Sequence, residues 1–176
     1  MPRATRPIRI EGDTAYVPLT RGYEAIIDVA DVDIVTGVSW QATIYKDKNG
    51  CISHVYATRR GPRGAGGQRA NVKMHRLIVR GECEEVDHAD GDGLNNRRSN
   101  LRPSSTSQNQ MNSRAHVDSR TGIKGVSFCE KSQKWRSQIA ACGVEKYLGR
   151  FESAQEAQNA YAAASKQLHG EFGRVA

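Results

Sequence analysis

The alternation of apolar and polar positions changes several times along the 176 residues, and each change marks a different kind of element. TAYVPL, from Thr14 to Leu19, alternates as a short strand does, and Pro18 predicts that this strand lies at a sheet edge. Next, Ile26, Ile27, Val29, Val32, Val35 and Val38 supply apolar anchors, with Asp31 as a helix start. This spacing predicts a strand, a helix of about two turns and a second strand through Trp40. QATIYK and ISHVYATR flank Asn49-Gly50, the signal of a two-residue hairpin turn. His54 falls on the second hairpin strand and is read as structural. GPRGAGG, residues 61–67, is too glycine-rich for a regular element and reads as a loop. VKMHRLIV is a strand end or a short helix turning Met74, Leu77 and Ile78 inward; His75 either joins a site or bonds within the fold.

The rhythm changes again after Asn112. NSRAHVDSRT is polar and aperiodic and gives His116 no role; it separates residues 1–113 from 122–176, with a linker over 114–121. Beyond it, IKGVSFC, KWRSQIAA and KYLGRF read as three strands with turns at Ser132 and Gly143. Ser153, with Glu156 three residues on, begins a helix whose Ala157, Tyr161, Ala164 and Leu168 form an apolar stripe for the sheet. On the second strand, Trp135 and Ile139 take the helix side while Lys134, Arg136 and Gln138 point outward. The expected class is α+β: a mixed N-terminal domain, then a three-stranded antiparallel sheet packed on one helix.

Charge narrows the partners. Lys and Arg number 26 against 19 Asp and Glu, a net +7 with a pI near 9.4, which favours a polyanion such as nucleic acid. No acidic residue occurs between Arg59 and Arg80, while Arg59, Arg60, Arg63, Arg69, Lys73, Arg76 and Arg80 are all basic; these suit phosphate contacts. There is no signal-peptide pattern and no apolar run of the ~20 residues that spans a bilayer, so a cytoplasmic protein without a membrane partner is expected. Cys51, Cys83, Cys129 and Cys142 form no C-x-x-C pair, so zinc is not expected and free thiols are.

The chemistry concentrates between Glu85 and Asn112, in EVDHADGDGLNNRRSNLRPSSTSQNQMN. Phosphodiester hydrolysis needs a base for the attacking water and a cation for the developing charge. Asp87 offers a hard oxygen ligand, and His88 a base that titrates near neutrality. Neighbours on a strand face opposite ways, so the two share a site only if the strand ends there, and the polar loop from Ala89 is the place for that. Ser105 and Gln108 form a capping box that starts a helix carrying Asn109, with Asn112 about one turn on. So few protein oxygens suit one Mg²⁺ or Mn²⁺ per site.

MHRLIV followed by VDHADGDGLNNRRSNLRPSSTSQNQMN resembles the HNH endonucleases, particularly the phage-type homing enzymes with a ββα-metal fold, and AYVPLTRGYEAIIDVADVDIV resembles the region preceding their motif. The resemblance implies that Asp87 is the first metal ligand, His88 the general base, Asn100 the loop-orienting asparagine and Asn109 the second ligand. Asn95, Asn96 and Asn112 remain alternatives for the asparagine positions. It also implies products with 5′-phosphate and 3′-hydroxyl ends, and Arg76, Arg97, Arg98 and Arg102 as candidates for the DNA backbone.

Gly122 to Arg174, through TGIKGVSF, KWRSQI and YLGRFESAQEAQNAYAAASKQLHGEFGR, resembles the plant ethylene-response-factor (Apetala-type) DNA-binding domain. That implies a sheet laid in the major groove, with Lys124, Lys146, Tyr147 and Arg150 joining Lys134, Arg136 and Gln138 as DNA contacts. Ser127, Cys129 and Ala140 stand where the plant pattern has arginines, which implies a different base preference; His169 is structural. Together these readings describe a monomeric, metal-dependent endonuclease that nicks or cuts double-stranded DNA. The alternatives are a DNA-binding regulator with a decayed centre and an RNA-binding or RNA-cleaving protein; no exposed aromatic cluster for stacking single-stranded bases is evident, which disfavours RNA.

Overall fold

The structure, a computed structural model, describes residues 6–64, 67–81, 83–116, 119–141 and 143–175. The chain forms two compact units, Met1–Pro103 and Ser104–Ala176. The polar stretch after Asn112 suggested a later boundary.

In the first unit, β1 (Arg9–Glu11), β2 (Thr14–Pro18) and β3 (Glu24–Asp28) form an antiparallel sheet in that order. Strand β2 is therefore central, not an edge. Pro18 is tolerated because β1 pairs only as far as Tyr16, so the proline sits where no neighbour needs its missing N–H. The helix expected after Asp31 is a single turn, α1 (Val32–Val35). Thr36 is already extended, and the indole of Trp40 donates to the Val35 carbonyl at 3.0 Å, closing the helix end. No strand runs through Trp40; the next one begins a residue later.

That strand, β4 (Gln41–Lys46), pairs with β5 (Ile52–Arg63), which pairs with β6 (Arg69–Lys73). The hairpin at Asn49-Gly50 forms, but its loop is wider than two residues. The Asp47 carboxylate accepts the N–H groups of Asn49 and Cys51, both at 2.9 Å, and so organises the turn one residue earlier. Strand β5 also continues through Gly61, Pro62 and Arg63, where a loop was expected. A register shift between Arg60 and Arg63 absorbs the Gly-Pro pair; of the glycine-rich stretch, residues 65 and 66 lie outside the described residues.

Helix α2 (Met74–Val79) follows, then β7 (Glu85–His88) and its partner β8 (Leu101–Ser104). Leu19, Ile27, Met74, Ile78 and Val35 are the largest of the fully buried apolar side chains of this core. At roughly 1.5–3 kcal/mol each, their burial is the main force holding sheet to helix.

The second unit opens with α3 (Thr106–Met111), whose Ser105 and Gln108 form the reciprocal capping box. Strands β9 (Val126–Cys129), β10 (Lys134–Ala141) and β11 (Val144–Phe151) form an antiparallel sheet with β10 central. Helix α4 (Ala154–Leu168), capped by Ser153 and Glu156, buries Ala157, Tyr161 and Ser165. Leu168, expected in that stripe, is 41% exposed; the helix end is held instead by His169, whose Nε2 lies 2.8 Å from the Ala140 carbonyl. Cys51 is exposed, Cys83 and Cys129 are half-buried, and all three are free thiols; Cys142 lies outside the described residues. No described helix is long and apolar enough to cross a membrane.

Gly125 and Gly122 separate packing from backbone strain. Both have φ near the left-handed region, +70° and +65°; a Cβ on Gly125 would lie 2.3 Å from the Tyr161 ring, while one on Gly122 would meet nothing within 4 Å. Gly122→Ala is expected to cost about 1 kcal/mol of strain, and Gly125→Ala about 3 kcal/mol because overpacking is added. Urea unfolding of the two variants measures the difference; equal midpoints would refute the packing contribution.

Candidate active site

A polar loop packed on an apolar unit must satisfy its own backbone groups, and residues 89–100 do so with short side chains. Asp90 is the hub. Its Oδ1 accepts from the Asp92 N–H at 2.8 Å and from Asn100 Nδ2 at 2.9 Å, and its Oδ2 accepts from Asn95 Nδ2 at 2.7 Å. Asn100 returns the contact, accepting the Asp90 N–H at 3.0 Å and donating to the Asn95 carbonyl at 2.8 Å. Burial opposes ionisation of Asp90, but the donors from Asp92, Asn95 and Asn100 hold its carboxyl below the ordinary range.

The knot is fastened to β3. Ile26 donates to the Leu94 carbonyl at 2.8 Å, and Asn96 donates back to Ile26 at 2.7 Å. The guanidinium of Arg98 grips the buried Asp31 with Nε at 2.9 Å and Nη2 at 2.7 Å, and its backbone N–H reaches Asp28 at 2.8 Å. Gly93 permits close approach on the other side, since a Cβ there would lie 2.4 Å from the Val55 carbonyl and 2.6 Å from the Tyr56 ring.

This frame presents Asp87 and His88 at the end of β7. Both are buried, at 4% and 5% exposure, and they engage different partners. Asp87 Oδ2 accepts two bonds from Arg102, Nε at 2.8 Å and Nη2 at 2.7 Å. His88 lies in an aromatic cluster, with ring centroids 4.9 Å from His75 and 5.8 Å from Tyr56. Its Nε2 is 3.5 Å from Asn96 Oδ1. The Asn96 amide is oriented by its own Nδ2, which donates to the Leu94 carbonyl at 2.9 Å. An amide oxygen can only accept, so this contact favours the tautomer with the ring proton on Nε2. Burial lowers the pKa of His88, opposed by Asn96 and by the carboxylates of Asp90, Asp87 and Asp92. The imidazole is therefore neutral at neutral pH. Burial, helped by repulsion from His88, lowers His75 to about 3.

The structure thus gathers Asp87, His88, Asn100 and Arg102 in the first unit. Asn100 knits the loop, while the amide facing the imidazole is that of Asn96, which is fully buried. Asn109 stands on α3 in the second unit, and Asn112 is that helix's C-cap. Sequence reasoning missed Tyr56; the alternation of β5, with Tyr56 two positions from His54, is the signal that places both on one face.

Several basic residues expected to reach DNA are engaged within the fold. Arg97 donates to the Thr14 hydroxyl, Arg98 and Arg102 are committed to the buried carboxylates of Asp31 and Asp87, and Arg76 donates to the Glu84 carbonyl at 2.9 Å. Lys124 is engaged in the same way. Its Nζ bonds the carbonyls of Met111 at 2.6 Å and Ser113 at 2.8 Å, closing the C-terminal end of α3, and desolvation with nearby Arg174 lowers it to about 8. On the C-terminal sheet, Arg136 pairs with Arg150, and Gln138 with Tyr147, so these four share the face away from Trp135 and Ile139. Lys134 also lies on it, 2.8 Å from Glu152. Lys146 opposes Ile139, which puts it on the other face, because a register shift between Ser137 and Gln138 gives β11 an extra residue.

Among the described residues, no group of three or more His, Cys, Asp and Glu is arranged to hold a metal. One buried carboxylate with amide oxygens nearby in sequence fits an open site completed by water and phosphate, and does not fit a closed structural one.

Residues 72–111 match the family model described as HNH endonuclease. Protein 3.8 of Escherichia phage T7 is 29% identical over 89 residues, covering 51% of this chain and 73% of that protein. An uncharacterised HNH endonuclease of Acanthamoeba polyphaga mimivirus is 26% identical over 108 residues, covering 57% of this chain and 55% of that protein. No solved structure matches the chain. The chain carries an HNH endonuclease domain with viral relatives, and the enzyme class this defines is a DNA nuclease.

The histidine pair gives the fold a pH dependence. Unfolded, a histidine takes up a proton near pH 6.5; folded, His75 does so only at about 3. The unfolded state therefore binds more protons across that window, and His75 alone costs at most about 1.4 kcal/mol of stability per pH unit as pH falls below 6.5. His75→Phe is expected to flatten this slope in urea titrations between pH 7 and pH 5; an unchanged slope would show that His75 titrates normally.

Proposed function

We propose that the protein is a metal-dependent endonuclease of the phage homing type that hydrolyses phosphodiester bonds in double-stranded DNA. The observation that carries this reading is His88, a buried neutral imidazole aimed by Asn96, at the end of the strand that also presents Asp87. In this reading Nδ1 of His88 accepts a proton from the attacking water. Asn96 keeps the ring proton on Nε2, and the Asp90-Asn95-Asn100 knot holds the imidazole in place. Asp87 and Asn109 would hold one Mg²⁺ or Mn²⁺, and a bound divalent ion supplies charge stabilisation at the phosphate. Arg102 orients the Asp87 carboxylate.

The second unit, with Arg136, Gln138, Tyr147 and Arg150 on one sheet face, serves in this proposal as an Apetala-like DNA-binding module, Lys134 and Lys146 adding basic charge at its margins. The functional division is then a nuclease domain over residues 1–113 and a DNA-binding domain over 122–176. In this reading the protein acts as a monomer on double-stranded DNA in the host cytoplasm, and the viral relatives support only the phage setting.

Supercoiled plasmid bearing the gene's own flanking sequence tests the reading, with Mg²⁺, Mn²⁺ or EDTA. Wild type should cut or nick in metal and not in EDTA, and His88→Ala should lower the rate by about 10²–10⁴-fold. Asp87→Ala should abolish cleavage and leave DNA retardation intact. Equal retardation by all three proteins with no cleavage by any would replace this reading with that of a DNA-binding regulator. The neutral His88 also sets an acid limb: the rate should hold on lowering pH past 6.5 and fall only below it. A midpoint above 6.5 would exclude His88 in its buried state as the base.

A further inference from the structure

One face of the β4–β5–β6 sheet carries a partly exposed row of rings, where no aromatic cluster suited to stacking bases was evident from the sequence. Tyr45 and His54 are directly paired across the hairpin, and Tyr56 follows His54 by two positions on the same strand, so all three side chains leave the same face. The His54 and Tyr56 planes are parallel within 6° at 6.1 Å, and Tyr45 meets Tyr56 edge-on at 5.8 Å. Tyr56 in turn touches His75 and His88, at 5.7 and 5.8 Å. The row thus runs from solvent, where Tyr45 is 46% exposed and His54 is open, to the catalytic imidazole.

Two features make this row a surface ready for a ligand. The loop residue Gly93 packs against the Tyr56 ring so closely that no side chain fits between them, which fixes the ring before any ligand arrives. Cations flank the row: Lys73 Nζ lies 5.2 Å from the Tyr56 ring centre, and Arg60, paired with Asn71 on β6, extends the positive charge along the same face. Aromatic faces between cations suit a nucleic-acid strand whose bases are unstacked, the rings taking bases and the cations taking phosphates. A paired duplex offers no base face to such a row.

We infer that this face binds an unpaired base beside the scissile phosphate, so that within double-stranded DNA the nuclease prefers locally opened sites to fully paired ones. The inference rests on the endonuclease reading for its placement next to His88. Its test does not need cleavage.

Full-length protein in EDTA is titrated against a labelled oligonucleotide as a single strand, as a perfect duplex and as a duplex with one bulged base, the bulge carrying 2-aminopurine. Wild type should bind the bulged duplex and the single strand more tightly than the perfect duplex and should quench the 2-aminopurine. Tyr45→Ala and His54→Ala should each weaken the two unpaired substrates by about tenfold and leave the perfect duplex unchanged, while Tyr45→Phe retains binding. Equal affinity of wild type for all three DNAs, or equal losses on all three in the alanine variants, overturns the inference. Tighter binding to the same strand made of RNA overturns DNA as the occupant. A protein that never cuts yet shows these preferences keeps the platform and loses the nuclease; one that cuts without them does the reverse.

Discussion

The carboxylate of Asp90 holds together the loop that frames the candidate site. A twelve-residue loop rich in Asn, Asp and Gly has little apolar surface with which to anchor itself, so its shape must come from hydrogen bonds. Asp90 collects donors from Asp92, Asn95 and Asn100, and the lowered pKa that results favours its ionised form. Those donors sit on both arms of the loop, so one side chain ties together the segment that joins the paired strands β7 and β8.

The site combines rigidity around the base with an oriented charge at the neighbouring carboxylate. His88 is buried against His75 and Tyr56 and faced by an amide whose other end is already committed. Asp87, one residue earlier, meets a guanidinium through two nitrogens. That arrangement places a neutral imidazole beside an ion pair. Reorganisation during reaction is small when the groups are held this way. The second unit follows another economy, using two capping boxes and close glycine contacts at Gly125 and Gly173 to hold short elements.

Much of the candidate centre was legible because it rests on local rules. The Ser105–Gln108 and Ser153–Glu156 boxes are spacing effects, and both form. The Asp87-His88 pair falls at a strand end, as the polar loop behind it required. The sequence misled where long-range pairing intervened. Pro18 signalled an edge, yet its strand is central because β1 is short. The glycine-rich stretch signalled a loop, yet β6 draws Gly61 and Pro62 into a ladder.

The sequence by itself determined which residues could carry chemistry: a carboxylate next to an imidazole, asparagines at loop spacing, and a basic chain. Those are properties of composition and of neighbours a few residues apart. Tertiary structure decided which of them work together. Asn96 rather than Asn100 faces the imidazole, because backbone bonds to Ile26 turn that stretch of loop toward the first sheet. Tyr45, His54 and Tyr56 became a row leading to His88 only when β4 and β5 paired in register. Partners separated by tens of residues meet through burial and strand pairing, and no local spacing records where those will bring them.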